Sequence, residues 1–292
     1  MSEIYSAIES IDQEPTIPTG TICDVLDVSR SAYYAWLTGS AGPRDRELDE
    51  LTPSIVAIFC QHRRRYGARR ISLQLKDRGI VCSPRRVAKV LRKQGLHAIQ
   101  PRSFVPRTTQ SRHHLGYSPN LLLEMENPTA TNQLWVADIT YLPLQGGGFC
   151  YLAALMDRYS RMIVGWSIES SMTESLVLSV LRQAIRKRQP RPGLVHHSDR
   201  GGQYAGKQYR ALMSRAEMKA SMSRADNCYD NAFMESCWGT LKREIDRTEY
   251  ESVVQARKIV GEYVRYYQFE RKHSSLAYLT PHEFETETQT RK

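Results

Sequence analysis

The sequence lacks the long apolar run and the paired cysteines that mark membrane proteins and disulfide-rich proteins. No stretch of its 292 residues approaches the roughly 20 consecutive apolar residues that span a bilayer. The first residues, MSEIYSAIESIDQEP, are acidic and contain no hydrophobic segment of a secretory signal. The six cysteines include no Cys-x-x-Cys pair, which argues against a thiolate zinc site and a small disulfide scaffold. These absences predict a globular, cytoplasmic protein.

Acidic residues are nearly missing from one part of the chain. Residues 51–112 carry 15 basic side chains and 1 acidic side chain, whereas residues 1–50 carry 3 and 10. The whole chain has a formal net charge of +10. Ordinary protein surfaces mix both signs of charge. The cationic segment therefore predicts binding to the phosphate backbone of a nucleic acid.

This cationic segment is predicted to form two helices. The first spans about Arg70–Asp77 and is followed by a turn at Gly79. The second has Ser83 as its N-cap, Pro84 at its first helical position and Gly95 after its end. Its core-facing residues are Val87, Val90 and Leu91. A capped helix with cations outside its core stripe fits a DNA groove or a phosphate track. The predicted DNA-binding residues here are Arg69, Arg70, Arg85, Arg86, Lys89, Arg92 and Lys93.

The segment TGTICDVLDVSRSAYYAWLTG predicts two short helices ahead of the cationic segment. The first helix is expected to bury Ile22, Val25 and Leu26. The second is expected to begin at Ser29 and to bury Tyr33, Trp36 and Leu37. A helix-turn-helix and a plain helical hairpin both fit this pattern.

From Gln133 onward, strand patterns alternate with helix patterns. QLWVADITYLPL, FCYLAALMD and RMIVGWSIES predict three strands, and GLVHHSD and KASMS predict two more. TESLVLSVLRQAIRKR, KQYRALMSRA and DNAFMESCWGTLKREI predict helices, and the tail predicts a helix followed by an irregular polar segment. The fold class is therefore α/β with a mixed five-stranded sheet. The predicted domains are a helix-turn-helix-like region at 1–42, a basic one at 46–97, a linker at 98–127, a catalytic core at 128–248 and a C-terminal helix and tail at 249–292.

Three acidic residues stand out by position. Asp138 lies within an apolar strand, where a carboxylate is costly unless something compensates its charge. Asp199 follows the fourth strand, and Glu235 lies on a helix with 35 residues between the two. Separately they fit a buried hydrogen-bonded acid, a turn residue and a solvated helix residue. If they converge, their mutual repulsion calls for a divalent cation, and oxygen ligands select magnesium or manganese.

The segments around these acids, WVADITYL, HHSDRGGQYA and NCYDNAFMESCWGTLKRE, resemble the three acidic motifs of the DDE transposase and retroviral integrase superfamily. They are most similar to the second-frame transposase of the bacterial insertion-sequence-3 family. VSRSAYYAWL, YGARRISLQL and YYQFERKHSSLAYLTP extend the resemblance from about Val28 to Phe284. The resemblance implies a ribonuclease-H-like fold in which Asp138, Asp199 and Glu235 are the catalytic acids and metal ligands.

The resemblance also implies a reaction and its cofactors. The protein would cleave strands and transfer them at the ends of an insertion sequence with two Mg²⁺ ions, for which Mn²⁺ would substitute. Asp138 would bridge the ions, while Asp199 and Glu235 would each hold one. Its partners would be the terminal inverted repeats, target DNA and at least one further copy of the chain, since two DNA ends must be held together. An upstream reading frame would supply a partner or a fused segment, and the protein would associate with the nucleoid.

Further residues receive supporting roles from their positions. Lys242 lies two helical turns after Glu235, or roughly 10 Å along the same face, where the resemblance implies contact with DNA beside the scissile phosphate. Asp230 is an alternative third acidic ligand. The supporting residues are Lys242 and Arg243 for DNA, His197 and Gln203 beside Asp199, and Asn227, Asp230 and Asn231 as caps of the helix that carries Glu235.

Two other readings of the sequence stay open. A sequence-specific DNA-binding regulator, or a decayed element without strand-transfer activity, would explain the cationic helices but does not need three converging acids. A ribonuclease-H-type nuclease acting on hybrids would need the acids but not two DNA-reading segments. The trailing motif also departs from the family pattern, with Gln268, Lys272 and Ala277 where asparagine, proline and glycine are typical.

Overall fold

The computed structural model describes residues 2–12, 17–38, 43–99, 116–224, 232–245 and 249–290. The chain forms two compact units, Met1–Ile99 and Gln100–Lys292. In the described ranges, no helix has the length and apolar character needed to cross a membrane.

The first unit begins with three short helices: α1 (Ser2–Asp12), α2 (Thr19–Val25) and α3 (Arg30–Leu37). Their common core consists of Tyr5, Ile8, Ile22, Cys23, Val28 and Tyr33. The predicted burial of Ile22 and Tyr33 is confirmed, but that of Val25, Leu26 and Leu37 is wrong, since all three are exposed. The reason is α1, which the sequence did not predict and which supplies Tyr5 and Ile8 to this core.

The rest of the first unit contains α4 (Pro43–Gln61), α5 (Ala68–Asp77) and α6 (Pro84–Lys93), which pack against one another. The prediction for α6 is confirmed. The Ser83 side chain accepts a hydrogen bond from the backbone N–H of Arg86, and Pro84 occupies the first helical position. The stripe of Val87, Val90 and Leu91 is buried. Helix α4 was not predicted, because its acidic first half and its internal Pro53 obscure a helical pattern.

The second unit is built on the mixed five-stranded sheet that the sequence predicts. Its strands are β1 (Leu134–Pro143), β2 (Phe149–Asp157), β3 (Ile163–Glu169), β4 (Val195–Ser198) and β5 (Lys219–Met222). They lie in the order β3-β2-β1-β4-β5. Strands β1, β2 and β3 are antiparallel neighbours, whereas β4 and β5 run parallel to β1.

Helices cover both faces of this sheet. Helices α7 (Glu174–Arg188) and α8 (Lys207–Arg215) share a core with Trp135 and Ala137 of β1. Helix α9 (Ala232–Ile245) packs on β1 and α10 (Val253–Phe269) packs on β3. Because neighbouring strand residues face opposite sides, Asp138 lies on the face opposite Ala137, where Trp238 of α9 contacts it.

The C-terminal segment continues through a short 3-10 helix (Ser274–Leu276) into α11 (Pro281–Thr290). The prediction of an irregular tail after α10 is therefore wrong for α11. The chain contains a capping box that gives the helix start: the Thr280 hydroxyl accepts from the Glu283 N–H, and the Glu283 carboxylate accepts from the Thr280 N–H. Helix α11 is anchored through Glu285, which accepts two hydrogen bonds from Arg188 of α7, each 2.7 Å long.

Part of the segment predicted as a linker lies against the sheet. The backbone N–H of Leu121 donates to the Ser221 hydroxyl at 3.0 Å, and the backbone N–H of Met222 donates to the Pro119 carbonyl at 3.2 Å. The stretch that contains Pro119 and Leu121 thus runs beside β5, the last strand of the sheet order.

Candidate active site

Asp138 is held in the middle of β1 by two hydrogen bonds. Its Oδ1 atom accepts from the backbone N–H of Ile139 at 2.8 Å. Its Oδ2 atom accepts from the indole Nε1–H of Trp238 at 3.0 Å. These two hydrogen bonds fix the orientation of the carboxylate. Asp138 as a residue is only partly buried.

Asp199 follows β4 and lies beside Asp138. The parallel register pairs Leu134 with Val195 and Val136 with His197, and two residues farther along it brings Asp199 level with Asp138. Asp199 Oδ1 accepts from the backbone N–H of Gly201 at 2.9 Å. A Cβ atom on Gly201 would stand 2.9 Å from that same oxygen. Glycine therefore lets the turn close around the carboxylate.

The pKa of Asp138 depends on the charges of both other acids. The pKa of Asp138 is raised to about 8, chiefly by burial and then by the negative charges of Asp199 and, to a smaller extent, Glu235. The hydrogen bonds from Ile139 and Trp238 act in the opposite direction. Asp138 therefore lies close enough to both other acids for their charges to affect it, although the three residues come from β1, the end of β4 and α9.

Glu235 occupies the first turn of α9 and is exposed. Trp238, which contacts Asp138, follows it by three residues on the same helix face. In the portions of the chain covered by the structure, no group of three or more His, Cys, Asp or Glu side chains is already arranged to hold a metal ion. Asp138 and Asp199 come from neighbouring strands of the sheet, and Glu235 comes from the helix that packs on β1.

Tyr204 adds a feature that the sequence reasoning missed. Its hydroxyl is buried and finds no hydrogen-bond partner among the described residues. Burial raises the pKa of Tyr204 well above its ordinary value, and the negative charges of Asp199 and Asp138 add to the shift. The sequence feature that could have pointed to Tyr204 is its place in the motif HHSDRGGQYA, five residues after Asp199.

The residues that flank Asp199 in sequence stabilise its surroundings. The two ring nitrogens of His197 lie 2.8 Å from the Ser221 hydroxyl and 3.1 Å from the Ser223 hydroxyl, which ties β4 to the strand beside it. Gln203 donates through Nε2 to the Met172 carbonyl at 3.1 Å. The three predicted helix caps, Asn227, Asp230 and Asn231, lie outside the described residues.

Lys242 lies at the other end of α9 from Glu235. Its Nζ atom is 4.5 Å from the centre of the Tyr141 ring, and Phe149 packs edge-on against that ring. Burial lowers the pKa of Lys242, which the charge of Asp138 opposes. Arg243, the next residue, is partly buried.

The cations predicted to bind DNA in the first unit differ in their surroundings. Arg86 pairs with Glu47 at 3.0 Å, and Lys93 pairs with Asp49 at 2.7 Å, so both are tied to α4. Arg70 lies over the Tyr66 ring. The exposed members of the set are Arg69, Arg85, Lys89, Arg92 and Lys93.

The chain matches three protein-family descriptions. Two descriptions of an integrase core domain match residues 128–228 and 216–281. An HTH-like domain matches residues 45–104.

Curated relatives match nearly the whole chain. The 31 kDa protein of insertion element IS600 from Shigella sonnei is 39% identical over 265 residues, which cover 90% of this chain and 97% of that protein. The transposase for insertion sequence element IS904 from Lactococcus lactis is 39% identical over 82% of this chain and 94% of its own length. Transposase InsF for insertion sequence IS3A from Escherichia coli K12 is 35% identical over 96% of this chain and 98% of its own length.

Solved structures are more distant. The HTLV-2 integrase catalytic core domain in complex with magnesium shares 14% identity with a TM-score of 0.43, and the match covers 54% of this chain and 98% of that one. The simian T-cell lymphotropic virus intasome shares 13% identity with a TM-score of 0.48, and the match covers 75% of this chain and 70% of that one.

The sequence relatives that match over nearly their full length decide the family. The chain belongs to the insertion-sequence-3 family of DNA transposases, which are polynucleotidyl transferases with an integrase core.

Proposed function

We propose that this transposase cleaves and joins DNA strands at the ends of its insertion sequence with Asp138, Asp199 and Glu235 as the catalytic acids. The observation that carries the proposal is that three elements meet at Asp138. Strand β4, which Asp199 follows, pairs with β1, and Trp238 of α9, the helix that carries Glu235, donates to Asp138 Oδ2 at 3.0 Å. The charges of both other acids also raise the pKa of Asp138, which supports this convergence. Like charges are brought together in this way where a cation or a reacting group is to be bound.

The residues fit a divalent cation. The ligands offered are carboxylate oxygens, which suit Mg²⁺ and Mn²⁺, and the unpartnered Tyr204 hydroxyl lies near them. We propose two Mg²⁺ ions, replaceable by Mn²⁺, held by Asp138, Asp199 and Glu235. Bound there, the ions would activate the attacking oxygen and stabilise the leaving oxygen of the phosphodiester.

The chain's own residues orient the reaction. The Ile139 N–H and Trp238 indole fix the Asp138 carboxylate, and the Gly201 N–H fixes Asp199. Lys242, close enough to Asp138 for the two charges to interact, binds the DNA phosphate beside the one that is cut. In the first unit, Arg69, Arg70, Arg85, Arg86, Lys89, Arg92 and Lys93 provide the cationic surface for DNA.

We also propose the organisation that goes with this role. The DNA partners are the terminal inverted repeats and the target, and the active form contains at least two copies because two ends must meet. The HTH-like match at residues 45–104 supports a DNA-binding region at 46–97. The region at 1–42, the linker at 98–127, the core at 128–248 and the C-terminal helix and tail at 249–292 complete the proposed division.

The test is a plasmid assay with the native gene, its flanking DNA and the upstream reading frame. Sequencing should find abutted element ends with the wild type and none with Glu235→Gln, while DNA binding is retained. The matched control is Glu262→Gln, which removes an exposed carboxylate from α10 and should leave the junctions unchanged. Junctions that persist in Glu235→Gln would refute the proposed site.

The same assay separates the alternatives. A DNA-binding regulator or a decayed element would give no junctions with the wild-type protein, although the protein is expressed and binds DNA. A nuclease of the ribonuclease H type would cut hybrids and would not join DNA. Two observations argue against both alternatives. The chain belongs to the transposase family over nearly its whole length, and the charges of two other acids act on Asp138.

Replacing Trp238 by phenylalanine is expected to lower strand joining by about 10- to 100-fold, since partners that orient metal ligands have effects of this size. The substitution removes the indole N–H that holds Asp138 Oδ2 and keeps an aromatic ring in the core. Titrating Mg²⁺ in a joining assay should show a higher metal requirement, with DNA affinity unchanged. An unchanged metal requirement and rate would contradict the role given to this hydrogen bond.

A further inference from the structure

A solvent-exposed aromatic ring lies at the start of β2. Phe149, the first residue of that strand, is 48% exposed although its side chain is large and apolar. It packs edge-on against Tyr141 of β1, with the ring centres 5.0 Å apart. The strand register explains this contact, because Tyr141 pairs with Tyr151, and Phe149 lies two residues from Tyr151 on the same face of the sheet. Tyr141 therefore holds a ring of which about half faces solvent.

The turn that precedes Phe149 leaves space beside this ring. Gly146, Gly147 and Gly148 form the turn, and all three have a positive φ. A Cβ atom added to any of them would meet no atom of a non-adjacent described residue within 4 Å. A flat ligand can therefore approach Phe149 without displacing a neighbouring element of the described chain.

The second ring of the pair carries a cation. The Nζ atom of Lys242 lies 4.5 Å from the centre of the Tyr141 ring. Among the described residues, Lys242 forms no ion pair within 4.0 Å. An aromatic face attracts an ammonium group and holds it in place without neutralising its charge. The pair of rings thus combines a fixed positive charge on Tyr141 with an exposed ring at Phe149.

Lys242 also connects the two rings to the proposed catalytic acids. Its charge interacts with that of Asp138, and Trp238 of the same helix donates to Asp138. Glu235, Trp238 and Lys242 follow one another at intervals of three and four residues, so they share one face of α9. Asp138 and Tyr141 are three residues apart on β1, and Lys242 interacts with both. The contacts therefore form a continuous series from Asp138 through Lys242 and Tyr141 to the exposed ring.

A cation beside an exposed ring matches the two parts of a nucleotide. The ammonium group attracts the phosphate, and the ring offers a surface on which the base can stack. A base within a duplex is covered on both faces by its neighbours, so only an unpaired or terminal base can use such a surface. A protein partner with an acidic and an apolar side chain would also fit. The interaction of Lys242 with Asp138 favours the DNA strand that is to be cut.

We propose that Tyr141 and Phe149 form a stacking platform for an unpaired base at the element's end, next to the phosphate that Lys242 binds. The inference rests on the proposed function, because the acids define which nucleotides lie here. Phe149 stacks on the base, and Tyr141 holds both Phe149 and Lys242 in position. Stacking on an aromatic side chain tolerates any base. The platform therefore stabilises the opened end of the element and does not read its sequence.

The test compares the binding of two labelled duplexes of the element's own end to the full-length protein in a chelating buffer. One duplex is fully paired, and the other has mismatched bases beside the cleavage position. The measured quantity is the ratio of the two dissociation constants. The wild type should bind the mismatched duplex more tightly by about 5- to 100-fold, the range expected for one stacked base.

Two substitutions of Phe149 distinguish stacking from simple apolar contact. Phe149→Leu keeps an apolar side chain without a ring and should lose the preference for the mismatched duplex. Phe149→Trp keeps a ring and should retain the preference. Neither variant loses a charge, so the slope of log affinity against log salt should stay at the wild-type value. Lys242→Gln should instead weaken the binding of both duplexes and make that slope shallower by about 0.9.

The matched control is Phe269→Leu. Phe269 is 49% exposed and is the last residue of α10, where its ring packs against His282. This variant should keep the preference of the wild type. The proposal would be overturned by a wild type without a preference, by a Phe149→Leu variant that retains it, or by an equal loss in Phe269→Leu. A preference kept in Phe149→Leu together with weaker self-association in sedimentation would assign Phe149 to an interface between copies.

The outcome is independent of the catalytic proposal. Glu235→Gln should lose joining but keep the preference for the mismatched duplex. If Glu235→Gln still joined DNA, the assignment of the acids would fail, while a lost preference in Phe149→Leu would still establish the stacking platform. If Glu235→Gln were inactive and Phe149→Leu kept the preference, the stacking platform alone would be refuted.

Discussion

Replacing Asp138 by asparagine is expected to abolish DNA joining and, at the same time, to stabilise the metal-free protein. Asparagine has nearly the same shape, and its carbonyl oxygen can keep one of the two hydrogen bonds from Ile139 and Trp238, but its NH2 group cannot accept the other. It carries no charge, so neither burial nor the neighbouring acids disfavour it as they disfavour the Asp138 carboxylate. Removing the charge should outweigh the one lost hydrogen bond and leave a gain in the free energy of unfolding on the order of 1 kcal/mol.

The measurement compares thermal unfolding with and without Mg²⁺. In a chelating buffer, Asp138→Asn should melt at a higher temperature than the wild type. Added Mg²⁺ should raise the melting temperature of the wild type and leave that of the variant almost unchanged, because a ligand stabilises only the state that binds it. Joining should fall by at least about 1000-fold, since the metal-based stabilisation of the attacking and leaving oxygens is lost.

The matched control is Glu235→Gln. It should be equally inactive, but its melting temperature in chelating buffer should scarcely change because Glu235 is exposed. A variant Asp138→Asn that joins DNA at the wild-type rate would remove Asp138 from the active site. A variant that is inactive but also less stable would contradict the energetic cost assigned to the Asp138 carboxylate.

Breaking the buried ion pair between Arg271 and Glu244 is expected to have the largest effect on stability. Arg271 Nε lies 3.0 and 2.9 Å from the two carboxylate oxygens of Glu244, and Nη2 lies 2.7 Å from one of them. The Tyr263 hydroxyl donates to the same carboxylate at 3.1 Å. Burial alone would lower the pKa of Arg271, but the hydrogen bonds and charge of Glu244 raise it above its ordinary value.

This pair ties the last turn of α9 to the segment after α10. Removing one partner leaves the other charge buried and uncompensated, so Glu244→Met and Arg271→Met should each cost about 3–5 kcal/mol. Joining should fall as well, because α9 carries Glu235, Trp238 and Lys242. Urea denaturation of each variant measures the loss.

The double variant Glu244→Met, Arg271→Met tests the cause. Replacing both partners by apolar residues should cost much less than the sum of the single losses, with a coupling of at least about 2 kcal/mol. The control Glu262→Gln, at an exposed position of α10, should change the free energy of unfolding by less than about 0.5 kcal/mol. Additive losses would mean that the two side chains act independently.

Much of the fold could be predicted where neighbouring residues decide it. Helix α6 follows from its Ser83 cap, Pro84 and the spacing of its apolar stripe. The strand pairing of β1 with β2 follows from two apolar runs around Gly146–Gly148, whose φ angles are all positive. Both are local effects, because caps, turns and side-chain period act over a few residues.

The elements that were missed are those whose stability comes from distant partners. Helix α11 has a readable start at Thr280, but its burial depends on Glu285 reaching Arg188, 97 residues earlier. The departures of the trailing motif have a similar basis. Gln268 is buried and donates to the Ile163 carbonyl at 2.7 Å, 105 residues away. Ala277 adopts a φ of +51°, where the family's usual glycine would be less strained.

The sequence by itself determined the class of protein and the mixed sheet, and it singled out the three acids now proposed as the site, because each acid lies in a motif of adjacent residues. Only the tertiary structure decided what surrounds them. The indole of Trp238 reaches Asp138 across 100 residues of sequence, and Phe233 meets Arg158 and Arg161 from a different element. Such contacts depend on how α9 packs along β1, and the period of a helix or strand specifies which face is buried but not which residue of another element it meets.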